Sequence, residues 1–316
     1  MSTSTKTLIS IVLLAVVGSC SDRDKHGKLL DTPTSGTIKI AVDESLKPLF
    51  QAEIAGFEGT YPDAHFRVDY TSEQKAIHDL LIDSVRLAVV TRKLYPFEMR
   101  RIDSLKIKAA EVIVAKEAIA LIENKSNPDS LIQWAQLEGI LQGKYRQWQQ
   151  LYPSSRLGDL QLVFDHPQSG IIRYLADTMQ IKSLPPNCFA AATNEAVVDY
   201  VSKTKNAIGL IGLSWISDSD DPAANKFLGS IKVMGISKAD DYLKPYKAYI
   251  ALKKYPLSRE VIMISREART GLGSGFISYV ANDKGQRIVL KAGLVPAKAP
   301  VRIVEINRRP LGKIVK

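Results

Sequence analysis

Four apolar, strand-like runs in this chain end in hydroxyl side chains, each at a point where a helix is due to begin. The hydroxyls are Ser45 in Asp43-Glu44-Ser45-Leu46, Ser72 in Thr71-Ser72, Thr91 in Thr91-Arg92, and Ser169 in Asp165-His166-Pro167-Gln168-Ser169-Gly170-Ile171. A helix start presents backbone N–H groups that lack intrahelical partners, together with a partial positive charge. Hydroxyls, such amides and one arginine therefore suit a tetrahedral oxyanion. Taken singly, Ser45 and Ser169 read as ordinary N-caps and Arg92 as a surface cation. Recurrence at four strand ends is what points to anion binding.

Catalytic patterns are weaker. The four histidines, His26, His65, His78 and His166, show no metal-ligand spacing. His166 lies near Ser169, but the segment lacks the G-x-S-x-G elbow of a hydrolase. The glycines between Ala207 and Leu213, and those in Gly271-Leu272-Gly273-Ser274-Gly275, fit neither G-x-G-x-x-G nor the P-loop pattern. The expectation is a binding protein, with no enzymatic activity, metal or cofactor.

These residues need a scaffold that brings strand ends together. Thr37 to Val42 alternates as a strand, and Leu46, Leu49, Phe50, Ile54 and Phe57 follow at helical spacing. Phe66 to Tyr70 predicts a second strand, Glu73 to Asp83 a helix, and Arg86 to Val90 a third strand. Strands alternating with helices imply a parallel sheet with helices on its faces, and ligands of such sheets bind beyond the carboxyl ends of the strands. Ile107 to Ile122 is a long β-rich run able to cross between two lobes. Trp134 to Leu141 predicts a helix closed by Gly143, Leu160 to Phe164 a strand, Ser169 to Thr178 and Asn194 to Lys203 helices, and Ala207 to Leu213 a strand. Tyr246 to Leu252 reads as a returning strand and Gly275 to Leu290 as one helix.

The N-terminus adds a compartment. Leu8 to Val17 is an apolar stretch of ten residues behind the single cation Lys6, too short to span a hydrocarbon core of about 30 Å. Val17-Gly18-Ser19-Cys20 resembles a lipobox, so residues 1–19 read as a lipoprotein signal peptide and Cys20 as the lipidated first residue. Removing these 19 of 316 residues leaves 297, enough for two lobes of ordinary domain size. Residues 20–36 form a polar tether. With Cys20 lipidated, Cys188 has no partner and is expected as buried packing. The formal charge of +10 admits an anionic partner, but its Lys and Arg are scattered without aromatic interleaving, which argues against nucleic acid. Local density remains at Arg100-Arg101 and in a basic tail at 306–316.

At this point the chain resembles the substrate-binding proteins of phosphate ABC transporters, the PstS type, in a diverged lipoprotein branch. The resemblance spans most of residues 37–297. It rests on the ordered series Asp43-Glu44-Ser45-Leu46-Lys47-Pro48-Leu49, Val90-Thr91-Arg92-Lys93-Leu94 with Glu98, Ala118 through Pro128, and Ile140-Leu141-Gln142-Gly143-Lys144 before Trp148. The series continues with Phe164-Asp165 through Ser169-Gly170, Asn206 through Gly212, Tyr255-Pro256-Leu257-Ser258-Arg259, and Gly285-Gln286 through Pro296.

The resemblance implies an α/β, two-lobed periplasmic-binding-protein-like fold of type II, each lobe a mixed sheet flanked by helices, with the ligand cleft between lobes. It divides the chain into lobe 1 (37–115 with 244–305) and lobe 2 (116–243). It implies a lipid-anchored monomer on the periplasmic or extracytoplasmic face of a bacterial membrane that captures inorganic phosphate and hands it to an ABC permease and its ATPase. The alternative is a signalling or surface lipoprotein that kept the fold without transport.

Family anion contacts map onto Ser45 and the Leu46 backbone, Ser72, Arg92 with Thr91, and Ser169 with Gly170 and Ile171. Asp165 stands where many members carry arginine, and Ile171 where they carry threonine. Some members place an aspartate where Arg92 stands, and that aspartate accepts the proton of hydrogen phosphate, which excludes sulfate. The charges can therefore have exchanged sides, Arg92 donating to the anion while Asp165 accepts from it or orients Arg92. Otherwise Asp165 only caps the following turn.

Overall fold

The alternating strands and helices build one mixed sheet. A computed structural model describes residues 31–218 and 220–298. The signal segment, Cys20, most of the tether and the basic tail lie outside the described residues. Twelve strands are described: β1 (Gly36–Asp43), β2 (Ala64–Thr71), β3 (Leu87–Val90), β4 (Ala110–Asn124), β5 (Leu131–Gln133), β6 (Gln161–Phe164), β7 (Cys188–Ala190), β8 (Ala207–Gly212), β9 (Ile231–Val233), β10 (Gly235–Ser237), β11 (Ser258–Ser265) and β12 (Val295–Pro296). The main path runs β2-β1-β3-β11-β4-β8-β6-β7, with β9 and β12 also on β4, while β5 and β10 pair separately.

Parallel pairing is confined to the two ends of this path. β1 runs parallel to β2 and β3, and β6 parallel to β7 and β8. β11 and β4 are antiparallel to their neighbours and join the ends. Over its first part β4 pairs with β11, from Ala110 to Ala118, and from Ile119 to Glu123 it pairs with β8. One 15-residue strand thus belongs to both halves of the molecule.

All four residues of β3 are buried, as expected of a strand covered on both faces. One face carries Phe50, Phe57 and Phe276, and the other Ile77, Leu80 and Ile102. The second half has its own core around Trp148, Phe164, Ile171 and Val198. Cys188 is buried there, and burial pushes its thiol up to about 12.

Two local expectations fail. Tyr246 to Leu252 is not a strand, since Lys247–Ala251 is a short helix behind Pro245. The rings of Tyr246 and Tyr249 stand 6.2 Å apart, a three-residue spacing that brings side chains together on a helix and not on a strand. The returning strand is β11. The expected helix from Gly275 to Leu290 is two, Leu272–Val280 and Asp283–Lys291. The second turns back so closely that a Cβ on Gly285 would lie 2.4 Å from the Val280 Cα.

Candidate functional site

β1 ends at Asp43, whose carboxylate caps the short 3-10 turn Glu44–Leu46. Asp43 Oδ1 accepts from the Ser45 amide at 3.0 Å and the Ser45 hydroxyl at 2.8 Å, and Leu46 closes the turn with its side chain fully buried. After β2, Ser72 caps the Glu73–Leu81 helix and accepts from the Lys75 amide. After β3, Thr91 gives its amide and hydroxyl to Glu73 Oε2, at 2.8 and 2.6 Å.

Between β3 and β4 lies β11, which contributes Arg259. This arginine is 4% exposed, and it donates to Glu117 Oε2 on β4 through Nε at 2.9 Å and Nη2 at 2.7 Å. It also donates to the Ser45 hydroxyl at 2.7 Å and reaches Thr91 Oγ1 at 3.5 Å. Burial works against its charge, but the Glu117, Asp43 and Glu73 carboxylates hold its pKa above the usual value.

The second half meets this cluster with a helix start. Ser169 caps Gly170–Met179, accepting from the Ile172 amide. The Gly170 amide donates to Asp43 Oδ2 at 3.2 Å across the gap between halves. One turn on, Arg173 donates to Glu73 Oε1 at 2.7 Å and Thr91 Oγ1 at 3.0 Å. Asn194 binds Glu44 through its amide nitrogens and accepts from the Gly212 amide at 3.0 Å. The approach at Gly170 requires glycine. A Cβ there would stand 2.5 Å from Asp43 Oδ2, 2.7 Å from Thr91 Oγ1 and 2.9 Å from Glu73 Oε2.

Two arginines thus face four buried carboxylates, Asp43, Glu73, Glu117 and Asp165. Burial pushes Asp43 up to about 7, against the pull of Arg259 and with help from Glu73 and Asp165. Burial likewise lifts Asp165 to about 6, opposed by hydrogen bonds from Ser169 and the His166 backbone. Glu117 is raised by burial despite Arg259. Glu73 goes the other way: burial alone would raise it, but Arg173 and the Thr91 donors hold it below the usual carboxylate range. One oxygen each of Asp165, Glu117 and Glu44 is buried without a partner.

Of the residues singled out in the sequence, Ser45, Thr91, Ser169, Gly170 and Asp165 come together here. Leu46 and Ile171 are buried beside them, and Ser72 lies one residue before Glu73. Arg92 turns away. Its guanidinium binds Glu98 through two nitrogens, at 2.7 and 2.8 Å, and stacks 3.8 Å over the Tyr95 ring. Asp165 lies against Asn194 and Ser169, so it does not orient Arg92.

Arg259, Arg173, Asp43, Glu73 and Glu117 were not singled out as site residues. Arg173 carried a readable signal, one helical turn beyond Ser169. Arg259 ends the segment Tyr255-Pro256-Leu257-Ser258-Arg259, with Glu260 between it and the apolar run Val261–Ile264.

The arrangement is an anion-sized set of donors, from Ser45, Thr91, Gly170, Arg173 and Arg259, on which the chain's own Asp43 and Glu73 carboxylates rest. A sequence profile of the PBP superfamily domain matches residues 30–284. The chain belongs to the PBP superfamily. Within it, the phosphate-binding protein PstS of Pseudomonas aeruginosa is 22% identical over 297 residues, 88% of each chain. A Clostridium perfringens protein assigned to phosphate ABC transport, solved with phosphate bound, aligns with a TM-score of 0.71 at 22% identity, covering 83% of this chain and all of that one. An ABC-type phosphate transport receptor from Vibrio cholerae aligns at 0.62 and 19% identity, covering 82% and 99%. This PBP-superfamily chain thus shares its fold with both solved proteins over nearly their full length.

Proposed function

We propose that this protein captures inorganic phosphate, or a close tetrahedral oxyanion, between its two halves and delivers it to an ABC permease and ATPase. Arg259 carries the reading. A guanidinium held in the sheet within reach of Ser45 and Thr91, opposite a helix start and Arg173, is a charge-assisted donor set for an oxyanion. The Pseudomonas aeruginosa relative is named a phosphate-binding protein, and the Clostridium perfringens neighbour was solved with phosphate bound. On this reading Ser45, Leu46, Ser72, Thr91, Ser169, Gly170, Ile171, Arg173 and Arg259 surround the anion, and Asp43 and Glu73 hold its place until it arrives. The halves, 37–115 with 244–305 and 116–243, close around it because only the closed form contacts the anion from both sides.

Selectivity follows from the carboxylates. Hydrogen phosphate brings a proton that an ionised Asp43 or Asp165 can accept, whereas sulfate brings none and meets unrelieved like charge. Calorimetry with phosphate, sulfate, arsenate and molybdate tests the reading: phosphate and arsenate bind and sulfate is rejected. Asp165→Asn then narrows the phosphate-to-sulfate preference. Sulfate binding as tightly as phosphate would remove this basis for selectivity.

The anchor is part of the proposal. Cys20 carries the lipid, residues 20–36 tether the body at the periplasmic or extracytoplasmic face of a bacterial membrane, and a monomer is expected. Cys20→Ser should release the protein from the membrane fraction, and retention would refute the anchor. The alternative, a signalling lipoprotein without transport, draws on the self-occupied donors. Absence of binding for all four anions would decide for it.

A further inference from the structure

Beside the buried cluster lies a cavity of about 600 Å³ whose wall includes Thr91, Arg173 and Arg259. Ordinary organic ligands fill pockets of this size, and a single phosphate leaves most of it empty. Its remaining charged lining is basic, Lys93, Lys116, Lys238, Lys253 and Lys254 with Arg92, which Glu98 already holds, against the one carboxylate Glu260. Glu260 stands opposite Lys116 in the β4–β11 register. Lys238 lies 3.7 Å over the Trp134 ring. The other four lysines form no ion pair among the described residues.

Neutral recognition groups are already engaged. The four hydroxyls of the lining donate within the chain: Thr91 to Glu73, Tyr174 to the Pro256 carbonyl, Tyr255 to the Ile119 carbonyl and Ser258 to the Tyr255 carbonyl. A sugar or a base would find few free donors to read it. What the chamber offers a ligand is charge, on flexible ammonium groups that suit a phosphate chain of variable geometry.

We propose that this site accepts condensed phosphate, one terminal phosphoryl group seated among the buried donors and the next phosphoryl groups among the chamber lysines. The inference rests on the phosphate reading of the buried cluster and extends it to a longer ligand. The three shared wall residues make the two compartments one continuous site.

Calorimetry on the intact chain at low ionic strength, with orthophosphate, pyrophosphate, tripolyphosphate and glucose 6-phosphate, tests it. Pyrophosphate is expected to bind at least ~10-fold tighter than orthophosphate, to displace it one for one, and to lose most of that advantage in added salt. The double variant Lys253→Ala/Lys254→Ala should bring the two ligands within about 2-fold while orthophosphate affinity falls by no more than about 3-fold. Pyrophosphate binding no tighter than orthophosphate overturns the inference and leaves the phosphate reading standing. So does an advantage that survives both the double variant and Lys116→Ala, or glucose 6-phosphate matching pyrophosphate. If no anion binds, the phosphate reading fails and this inference with it.

Discussion

The buried cluster and the lysine chamber share a wall but hold charge in opposite ways. In the cluster every formal charge has a counter-charge within hydrogen-bond distance or a pKa moved toward neutrality: Arg259 on Glu117, Arg173 on Glu73, and Asp43 lifted to about 7. In the chamber four lysines stand without ion pairs among the described residues, in contact with solvent. Desolvated charge is tolerated only when it is paired or neutralised, whereas solvated charge can stay bare because water screens it. The cluster is therefore built for contact and proton exchange, and the chamber for attraction at a distance.

The sharpest way to break the comparison is to remove one charge from each region. Arg259→Leu leaves Glu117 buried and unpaired and should cost about 3–5 kcal/mol of stability in urea unfolding. Arg259→Leu with Glu117→Leu should recover most of the loss, and Lys254→Ala should change stability by less than about 0.5 kcal/mol. Equal losses for Arg259→Leu and Lys254→Ala would erase the distinction.

Gly170→Ala comes next. Its methyl would press on Asp43, Thr91 and Glu73 together, wedging the halves apart, and phosphate affinity should fall roughly 30-fold, about 2 kcal/mol. Surface plasmon resonance or calorimetry would read this, and an unchanged affinity would mean that the halves need not meet at Gly170.

The pH dependence of stability separates the regions more gently. Asp43 and Asp165 bind protons more tightly folded than unfolded, with folded values of about 7 and about 6. Glu53, buried with neither oxygen partnered, is pushed by burial to about 9. The folded state thus holds more protons, so stability is full below the unfolded carboxylate range and declines as pH rises through these folded values. Glu73, held low by Arg173, acts oppositely but only at acid pH. The melting temperature should fall by at least about 10 °C from pH 5 to pH 8, and by less in Glu53→Gln. A melting temperature that rises across this interval would contradict the raised carboxylates.

The smallest effect belongs to the chamber. Raising ionic strength from low to high should slow phosphate association about 3-fold and leave dissociation nearly unchanged, as stopped-flow would show. Salt acting mainly on dissociation would place the lysines in direct contact with the bound anion.

Much of the frame was legible in sequence because strand ends and helix starts are local signals. β1 with its capped turn, the helix behind Ser169 and the long β4 all follow from patterns within about fifteen residues. The charges at the centre did not follow. β11 hides its nature, since Tyr255-Pro256 reads as a turn and Arg259-Glu260 interrupts the apolar run, so its insertion between β3 and β4 is decided only by tertiary pairing. Arg259 meets Glu117 across 142 residues of chain, and Arg173 meets Glu73 across 100. Arg92 drew attention because it follows a strand, yet Glu98, six residues on, takes it. Spacing can nominate a charge, but only the fold selects its partner.

Strand β4 has a mechanical consequence. Its first residues are stitched to β11 and its last to β8, so neither half can melt without tearing the ladder that supports the other. Calorimetric unfolding should give a single endotherm, and the amides of Ala115 to Leu121 should exchange with deuterium only through global opening. A load applied between the halves would fall on two adjacent backbone crossings, Ala118-Ile119 in β4 and the return through Leu257 into β11, which the Ile119 amide ties together by donating to the Leu257 carbonyl at 2.9 Å.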